Sequence, residues 1–161
     1  MPYSKDLIKS ASRLVGGERG RPKASDCNRA VSTAYYAVFD HLCRSVANRI
    51  VPLERDNSMP SETWINVYRS IDHVRVKANF EAISRSSNRN RSDHYSNFAL
   101  TFITLQNARK EADYLPTKEY GKTEAETLID QAKRAIYNLD HITKHEVSEI
   151  VVGLVVKLSG R

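Results

Sequence analysis

The sequence predicts an all-α protein, an up-and-down bundle of about five helices that ends in a long C-terminal helix. Apolar residues recur at spacings of three and four along most of the chain, which is the period of a helix with one buried face. No segment alternates convincingly between apolar and polar residues, so strands are not expected. At 161 residues the chain has the length of one domain, and we assign 1–161 to a single helical domain.

The first two predicted helices are separated by a basic linker that contains glycine and proline. Apolar spacing predicts a short amphipathic helix over 4–15, with Ser4 as a candidate N-cap. A second helix, capped by Ser25 or Asp26, is predicted to run to about Val51. Its inner stretch has an apolar stripe about a third of its circumference wide, so one face is expected to be buried.

A third helical region follows a loop bracketed by two prolines, at positions 52 and 60. It is predicted to begin at Ser61 and to continue to about Ile83, either as one helix or with a bend. Residues 84–93, SRSSNRNRSD, contain no apolar side chain. They are therefore predicted to form an exposed loop.

Two more helices are predicted in the last part of the chain. Ser92 or Asp93 is expected to cap the first, which ends near Leu115. The second begins at Thr123, where TEAE has capping-box spacing, and could reach Lys157, about 50 Å away at ~1.5 Å per residue. Its apolar C-terminal third would be partly uncovered in a monomer, which predicts a homodimer interface. The apolar residues of that third are Ile150, Val151, Val152, Leu154, Val155, Val156 and Leu158.

Composition indicates a cytoplasmic protein without a cofactor. No apolar run approaches the ~18 residues that span a bilayer, and the N-terminus lacks the apolar stretch of a signal peptide. Cys27 and Cys43 fall in one predicted helix, about 24 Å apart along its axis, so they cannot pair with each other. No CxxC or His/Cys cluster indicates a metal. The net charge of +6 favours polyanionic partners, although it also serves solubility.

Two runs carry a resemblance to a known family. RAVSTAYYAVF, at 29–39, resembles the second helix of a subgroup of small prokaryotic HEPN domains, the higher-eukaryote-and-prokaryote nucleotide-binding helical bundles. ARKEADYLP, at 108–116, is similar to the Arg-x-x-Ala-Asp-Tyr run that the same subgroup carries at the end of a later helix. The resemblance extends over about 4–140, and these two runs hold nearly all of its specificity.

The resemblance implies a site at the second run. Active HEPN domains are metal-independent endoribonucleases in which an arginine, followed four to six residues later by a histidine, acts at a dimer cleft. The corresponding candidate catalytic residues here are Arg109, Asp113 and Tyr114, and Tyr114 stands where active members have histidine. A phenol with a pKa near 10 is a poor base at pH 7, which leaves catalysis open. The competing interpretation of Arg109 and Asp113 is an ordinary helical ion pair.

The polar loop offers a second set of candidates. Arg89 and His94 match the arginine–histidine spacing and are secondary catalytic candidates, although such a match also arises by chance. Arg85, Arg89 and Arg91, with Tyr95 just beyond, are candidate nucleic-acid-binding residues, because arginines suit phosphates and a tyrosine can stack on a base. The competing interpretation is a solvated connector.

The resemblance therefore implies an RNA-associated HEPN protein, for which metal-independent endoribonuclease activity as a toxin or defence component is the candidate activity. The alternative is a non-catalytic HEPN module that binds RNA, a nucleotide or a partner protein in an antitoxin-like or structural role. RNA and a second copy of the chain are the expected partners. An antitoxin or a nucleotidyltransferase is the kind of partner protein that the resemblance implies.

Overall fold

The computed structural model of the chain describes residues 2–16, 20–52, 59–86 and 90–155. It is 83% helical and has no strand within those residues, which confirms the predicted all-α bundle. The described part contains seven helices instead of about five, because two of the predicted helices are each divided. The seven are α1 (Pro2–Gly16), α2 (Ala24–Ile50), α3 (Glu62–Ser70), α4 (His73–Arg85), α5 (Asp93–Tyr114), α6 (Lys122–His141) and α7 (Lys144–Val155).

Helix α2 is the central element of the bundle and contacts α1, α3, α5, α6 and α7. The core forms where its apolar face meets α5, and aromatic rings fill much of that space. Tyr35 on α2, Phe80 on α4, and Phe98 and Phe102 on α5 have no exposed surface. Burying a side chain of this size stabilises the fold by roughly 1.5–3 kcal/mol. This packing fixes α2, α4 and α5 relative to one another.

The predicted third helical region is two helices. The backbone leaves the helical conformation at Ile71 and Asp72, which are both extended. The Asp72 carboxylate then accepts hydrogen bonds from the N–H groups of Val74 and Arg75, at 2.9 and 3.0 Å, and so starts α4. An aspartate in this role satisfies the donors of a new helix, whereas it offers little to the interior of an existing one. His73 thereby becomes the first residue of α4.

The single long C-terminal helix was also a wrong prediction, because the chain breaks after α6. Ile142 is extended, and the Thr143 N–H donates to the Glu146 carboxylate at 2.8 Å. The same carboxylate accepts from the Ser92 N–H at 2.7 Å, so one buried acid ties the start of α7 to the start of α5. Lys157, the predicted end, lies outside the described residues.

This break changes the argument for a dimer. Helix α7 turns back onto α2 and α4, where Ile150 is fully buried and Leu154 is 9% exposed. Of the apolar side chains described in α7, only Val152 is largely exposed, at 57%. The apolar segment from Ile150 to Leu154 is therefore mainly part of the monomer core, and this described part exposes less apolar surface than predicted. Val156 and Leu158 of the predicted interface lie outside the described residues.

The N-caps were predicted with mixed success. Ser61 and Ser92 cap α3 and α5 as predicted, each accepting a hydrogen bond at 3.2 Å from the N–H three residues later. The other predicted caps are wrong because they lie inside helices: Ser4, Ser25 or Asp26, and Thr123.

Two further findings concern the cysteines and the possibility of a membrane-spanning helix. Cys27 and Cys43 are free, buried and both in α2, as predicted. Among the described helices, none is long and apolar enough to cross a membrane.

Candidate functional site

The two runs that carry the resemblance meet in space. Asn28, just before the first run, donates from Nδ2 to the carbonyl of Ala112 at 3.3 Å and to that of Lys118 at 2.9 Å. Its Oδ1 accepts from the Tyr120 N–H at 2.9 Å. One amide side chain on α2 thus holds the C-terminal end of α5 and the loop that follows it. The second run is thereby fixed against the first.

Arg109 lies at this junction, between two tyrosines. Its Nη2 donates to the Tyr36 hydroxyl at 2.6 Å and to the Tyr114 hydroxyl at 3.3 Å. Its guanidinium carbon is 5.3 Å from the centre of the Tyr36 ring and 5.1 Å from that of Tyr114, within cation–π range. The arginine side chain is 14% exposed, whereas Tyr36 and Tyr114 are 37% and 69% exposed. The two rings therefore form the surface of the site and the guanidinium lies between them.

Asp113 completes the group as the predicted ion-pair partner. Its Oδ2 lies 2.9 Å from Arg109 Nε, and its Oδ1 accepts a hydrogen bond from the Ser32 hydroxyl of α2. The angle at Nε does not suit a hydrogen bond, so the contact is electrostatic and the buried Nε–H has no acceptor within the described residues. We call Ser32, Tyr36, Arg109, Asp113 and Tyr114 the Arg109 cluster. The structure brings all three predicted catalytic candidates into it.

The guanidinium keeps donors that the protein does not use. Nη2 is occupied by the two phenols and Nε is buried, but Nη1 makes no hydrogen bond to any described residue and is open to solvent. Burial is the largest single influence on Arg109 and opposes its charge, but the Tyr36 hydrogen bond and the charge interactions with Tyr36, Tyr114 and Asp113 together outweigh it and raise the pKa of the guanidinium. Arg109 is therefore a permanent, oriented cation that retains unused donors, and guanidinium groups of this kind are suited to phosphate ligands.

His73 is a further residue of this region that the sequence did not single out as a site residue. Its Nδ1 lies 2.7 Å from the Tyr35 hydroxyl, and its ring stacks on Phe39 with centroids 3.8 Å apart. Its centroid is 6.1 Å from that of Tyr36, the ring that also contacts Arg109. Burial, and next the charge of Arg109, lower the pKa of His73. The only sequence signal was an aspartate before a histidine, which is a weak indication of a helix start.

The secondary pair, Arg89 and His94, is not brought to this site. His94 begins α5, about 22 Å along the helix axis from Arg109 at ~1.5 Å per residue. Its Nδ1 lies 2.9 Å from Asn138 Oδ1 on α6, and its ring is 5.4 Å from that of His141. Arg89 lies outside the described residues. His94 therefore belongs to a separate contact between α5 and α6.

Of the predicted nucleic-acid-binding residues, two have structural contacts instead. Arg91 donates from Nη1 to the Ser86 hydroxyl at 2.6 Å and to the Ile83 carbonyl at 3.2 Å, and it lies 3.5 Å from the Glu149 carboxylate. The Tyr95 ring, which was predicted to stack on a base, is fully buried in this structure. Arg85 is exposed at the end of α4, and Arg89 falls in the undescribed part of the loop.

A cavity of about 540 Å³ lies between α5 and α6, apart from the Arg109 cluster. Its polar groups pair with one another: the Tyr120 hydroxyl donates to Glu111 at 2.8 Å, and Lys118 lies 3.3 Å from Glu124. Within the residues that the structure describes, no three His, Cys, Asp or Glu side chains are grouped to hold a metal ion. The cavity is therefore separate from the Arg109 cluster and contains none of its residues.

Comparison with known proteins found no matching family model, no matching curated protein and no matching solved structure.

Proposed function

We propose that this chain is an RNA-associated protein of the HEPN type and that Arg109 binds the phosphodiester. The observation that carries the proposal is the contact between the two runs of the sequence that resemble the family. Arg109 of the second run donates to Tyr36 of the first at 2.6 Å, and Asp113 of the second accepts from Ser32 of the first. Two separate stretches of sequence thus build one exposed cationic site.

The charges around the cluster support a polyanionic ligand. Arg29 lies one turn before Ser32 on α2, and Lys110 follows Arg109 on α5, and both are exposed. The Asp113 carboxylate opposes an incoming anion, but it already accepts from Ser32 and faces the buried Nε edge of Arg109. An anion approaching Nη1 therefore meets the other edge of the guanidinium. The net charge of +6 adds a long-range attraction.

The exposed tyrosines support RNA in particular. The Tyr36 and Tyr114 rings flank the guanidinium at the surface, so bases on either side of a bound phosphate can stack on them. Stacking on an unpaired base is characteristic of proteins that bind single-stranded RNA.

Metal-independent cleavage of RNA, as a toxin or defence component, is the activity that we propose for this site. The guanidinium would hold the scissile phosphate and stabilise the charge that grows on it in the transition state. The alternative function is a non-catalytic module that binds RNA or a partner protein. It is favoured by Tyr114, an exposed phenol where active members of the family have a histidine.

We also propose that the site is completed by a second copy of the chain or by a partner protein such as an antitoxin or nucleotidyltransferase. Large side chains are exposed at and just beyond the cluster, including Tyr114 at 69% and Leu115 at 47%. Light scattering at micromolar concentration is expected to give near twice 18.3 kDa for a homodimer. A monomer at that concentration would leave only the partner protein.

The test of function is incubation of the chain with labelled total RNA in EDTA, alongside a gel shift at increasing salt. Cleavage in EDTA that is lost in Arg109→Ala supports the nuclease. A salt-sensitive shift without cleavage supports the non-catalytic module, because each phosphate contact releases counterions. If the chain neither cleaves the RNA nor shifts it in the gel, RNA is refuted as the ligand.

A further inference from the structure

We infer that His73 is a second ligand of the phosphodiester at Arg109, and that the imidazole takes up a proton from solvent when the phosphodiester binds. The inference rests on the proposed function of the Arg109 cluster. It adds a residue from α4 to a site that the sequence assigned to α2 and α5 alone.

The imidazole is held in one orientation. The ring stacks on Phe39 with centroids 3.8 Å apart, and the Tyr35 hydroxyl lies 2.7 Å from Nδ1. The His73 backbone carbonyl accepts from Gln106 Nε2 at 3.1 Å, which attaches the start of α4 to α5. Packing on one face, one hydrogen bond at Nδ1 and an anchored backbone leave the ring little freedom. A group fixed in this way binds a ligand without a large cost in conformational entropy.

Nε2 is the nitrogen of the His73 ring that is available to bind a ligand. Tyr35 is fully buried, and its hydroxyl makes no hydrogen bond to any described residue other than His73. The phenol therefore donates its proton to Nδ1, since a buried hydroxyl without an acceptor is costly. The proton of the neutral imidazole then resides on Nε2. Nε2 makes no hydrogen bond within the described part of the chain and is not fully buried, so it can present a donor.

Tyr36 contacts both His73 and Arg109. The Tyr36 ring is a common neighbour of both groups, 6.1 Å from the His73 ring and 5.3 Å from the guanidinium carbon. Arg109 is also close enough for its charge to oppose protonation of the imidazole. A phosphate group presents oxygens in several directions. One phosphate can thus accept from Arg109 Nη1 with one oxygen and from His73 Nε2 with another.

A bound phosphate would offset the positive charge near the His73 ring and so raise the pKa of the imidazole. The charged and titratable groups that face His73 are Tyr35 and Tyr36 from α2, Asp72 before its own helix, and Arg109 from α5. Without ligand, burial and next the positive charge of Arg109 lower the pKa of the imidazole and so favour its neutral form. An anion between the two groups offsets the charge of Arg109 and favours the imidazolium. By linkage, binding then strengthens as the pH falls.

The experiment uses the full chain and a short 2′-O-methyl oligoribonucleotide, which cannot be cleaved through its 2′ oxygens. Affinity is measured by fluorescence anisotropy between about pH 5.5 and 8, the range in which histidine titrates. The pKa of His73 is measured by NMR of the wild-type chain with and without the oligonucleotide. We expect the pKa to rise on binding. We also expect the dissociation constant to fall as pH decreases, by at most about tenfold per pH unit for one proton.

Two variants separate the inference from the proposed function. His73→Gln should bind with little pH dependence, whereas the matched control His145→Gln should behave as wild type, because His145 is exposed on α7 and lies 3.6 Å from the Glu149 carboxylate. If binding requires Arg109 but the His73 pKa stays unchanged, the inference is overturned and the proposed function stands. If the oligonucleotide does not bind, or binds Arg109→Ala equally well, both are overturned. The wild-type NMR titration decides the matter even if His73→Gln fails to fold.

Discussion

Arg109→Ala is expected to weaken RNA binding about ten- to a hundredfold and to leave the chain folded. A hydrogen bond to a charged group contributes roughly 1.5–3 kcal/mol, and each 1.36 kcal/mol is tenfold in affinity. The slope of log affinity against log salt should also decrease by about 0.7, the contribution of one phosphate contact on a single strand. Arg109→Lys should recover the salt slope but little of the affinity, because an ammonium lacks the planar fork.

The cost to stability follows from the same contacts. Arg109→Ala removes two exposed cation–π contacts, at about 0.5–1 kcal/mol each, and one partly exposed ion pair at about 0–1 kcal/mol. The total of about 1–3 kcal/mol lies below the 5–15 kcal/mol by which domains are usually stable. Urea unfolding followed by circular dichroism measures this cost, and anisotropy with a labelled single-stranded RNA measures the affinity.

Arg44→Ala is the matched control. Arg44 also pairs with an aspartate four residues away, at 2.9 Å, and its guanidinium also lies over aromatic rings. Its partner Asp40 is buried, so this variant should lose at least as much stability while keeping RNA affinity and the salt slope close to wild type. Equal loss of affinity in the two variants would refute the role of Arg109 as a phosphate ligand. The rings that Arg44 contacts are Tyr3, Trp64 and Tyr68.

Three further predictions concern other positions. Tyr114→His creates the arginine–histidine spacing found in active HEPN domains and, on the proposed function, should raise RNA cleavage in EDTA; an unchanged rate would argue that position 114 takes no part in proton transfer. Arg91→Ala should reduce the free energy of unfolding by about 1–3 kcal/mol in urea and leave the salt slope of RNA binding unchanged, because Arg91 hydrogen-bonds Ser86 and lies 3.5 Å from Glu149. Burial opposes ionisation of Glu146, but hydrogen bonds from backbone and side-chain groups outweigh it and lower its pKa below 4.5. The ionised Glu146 therefore stabilises the fold above about pH 4.5, and this stability is lost as the pH falls through the lower folded pKa. Glu146→Gln should make the free energy of unfolding, measured in urea, depend less on pH in the acid range. If the variant and the wild type lose stability equally at low pH, other carboxylates cause the loss.

The candidate site was predictable from sequence in part. Arg109, Asp113 and Tyr114 lie within one turn and a half of one helix, so their proximity follows from helical spacing alone. The contact with Tyr36 could be anticipated only through the family resemblance, since nothing in the spacing of the two runs relates α2 to α5. His73 was not predicted as a site residue, because its place depends on how the start of α4 packs against two other helices.

In and beside the exposed loop at 84–93, the sequence predicted nucleic-acid-binding residues that the structure places in internal contacts. An arginine-rich segment without apolar residues is typical of both a phosphate-binding surface and a connector, and its composition is the same in either role. Only the positions of Ser86 and Glu149 show that Arg91 is held by the protein itself. Similarly, a tyrosine beside such a loop can face solvent or the core, and Tyr95 faces the core.

The sequence by itself determined that the chain is helical and where most helices begin and end, because helical period, serine caps and proline-bounded loops are local properties. It also determined which residues share one helix face. Tertiary structure alone decided the breaks at Asp72 and Thr143, the burial of Ile150, and the meeting of Arg109, Tyr36 and His73. These features depend on contacts between residues distant in sequence. The free energy of such contacts comes from packing and from satisfying buried polar groups, and neither is encoded in the spacing along one segment.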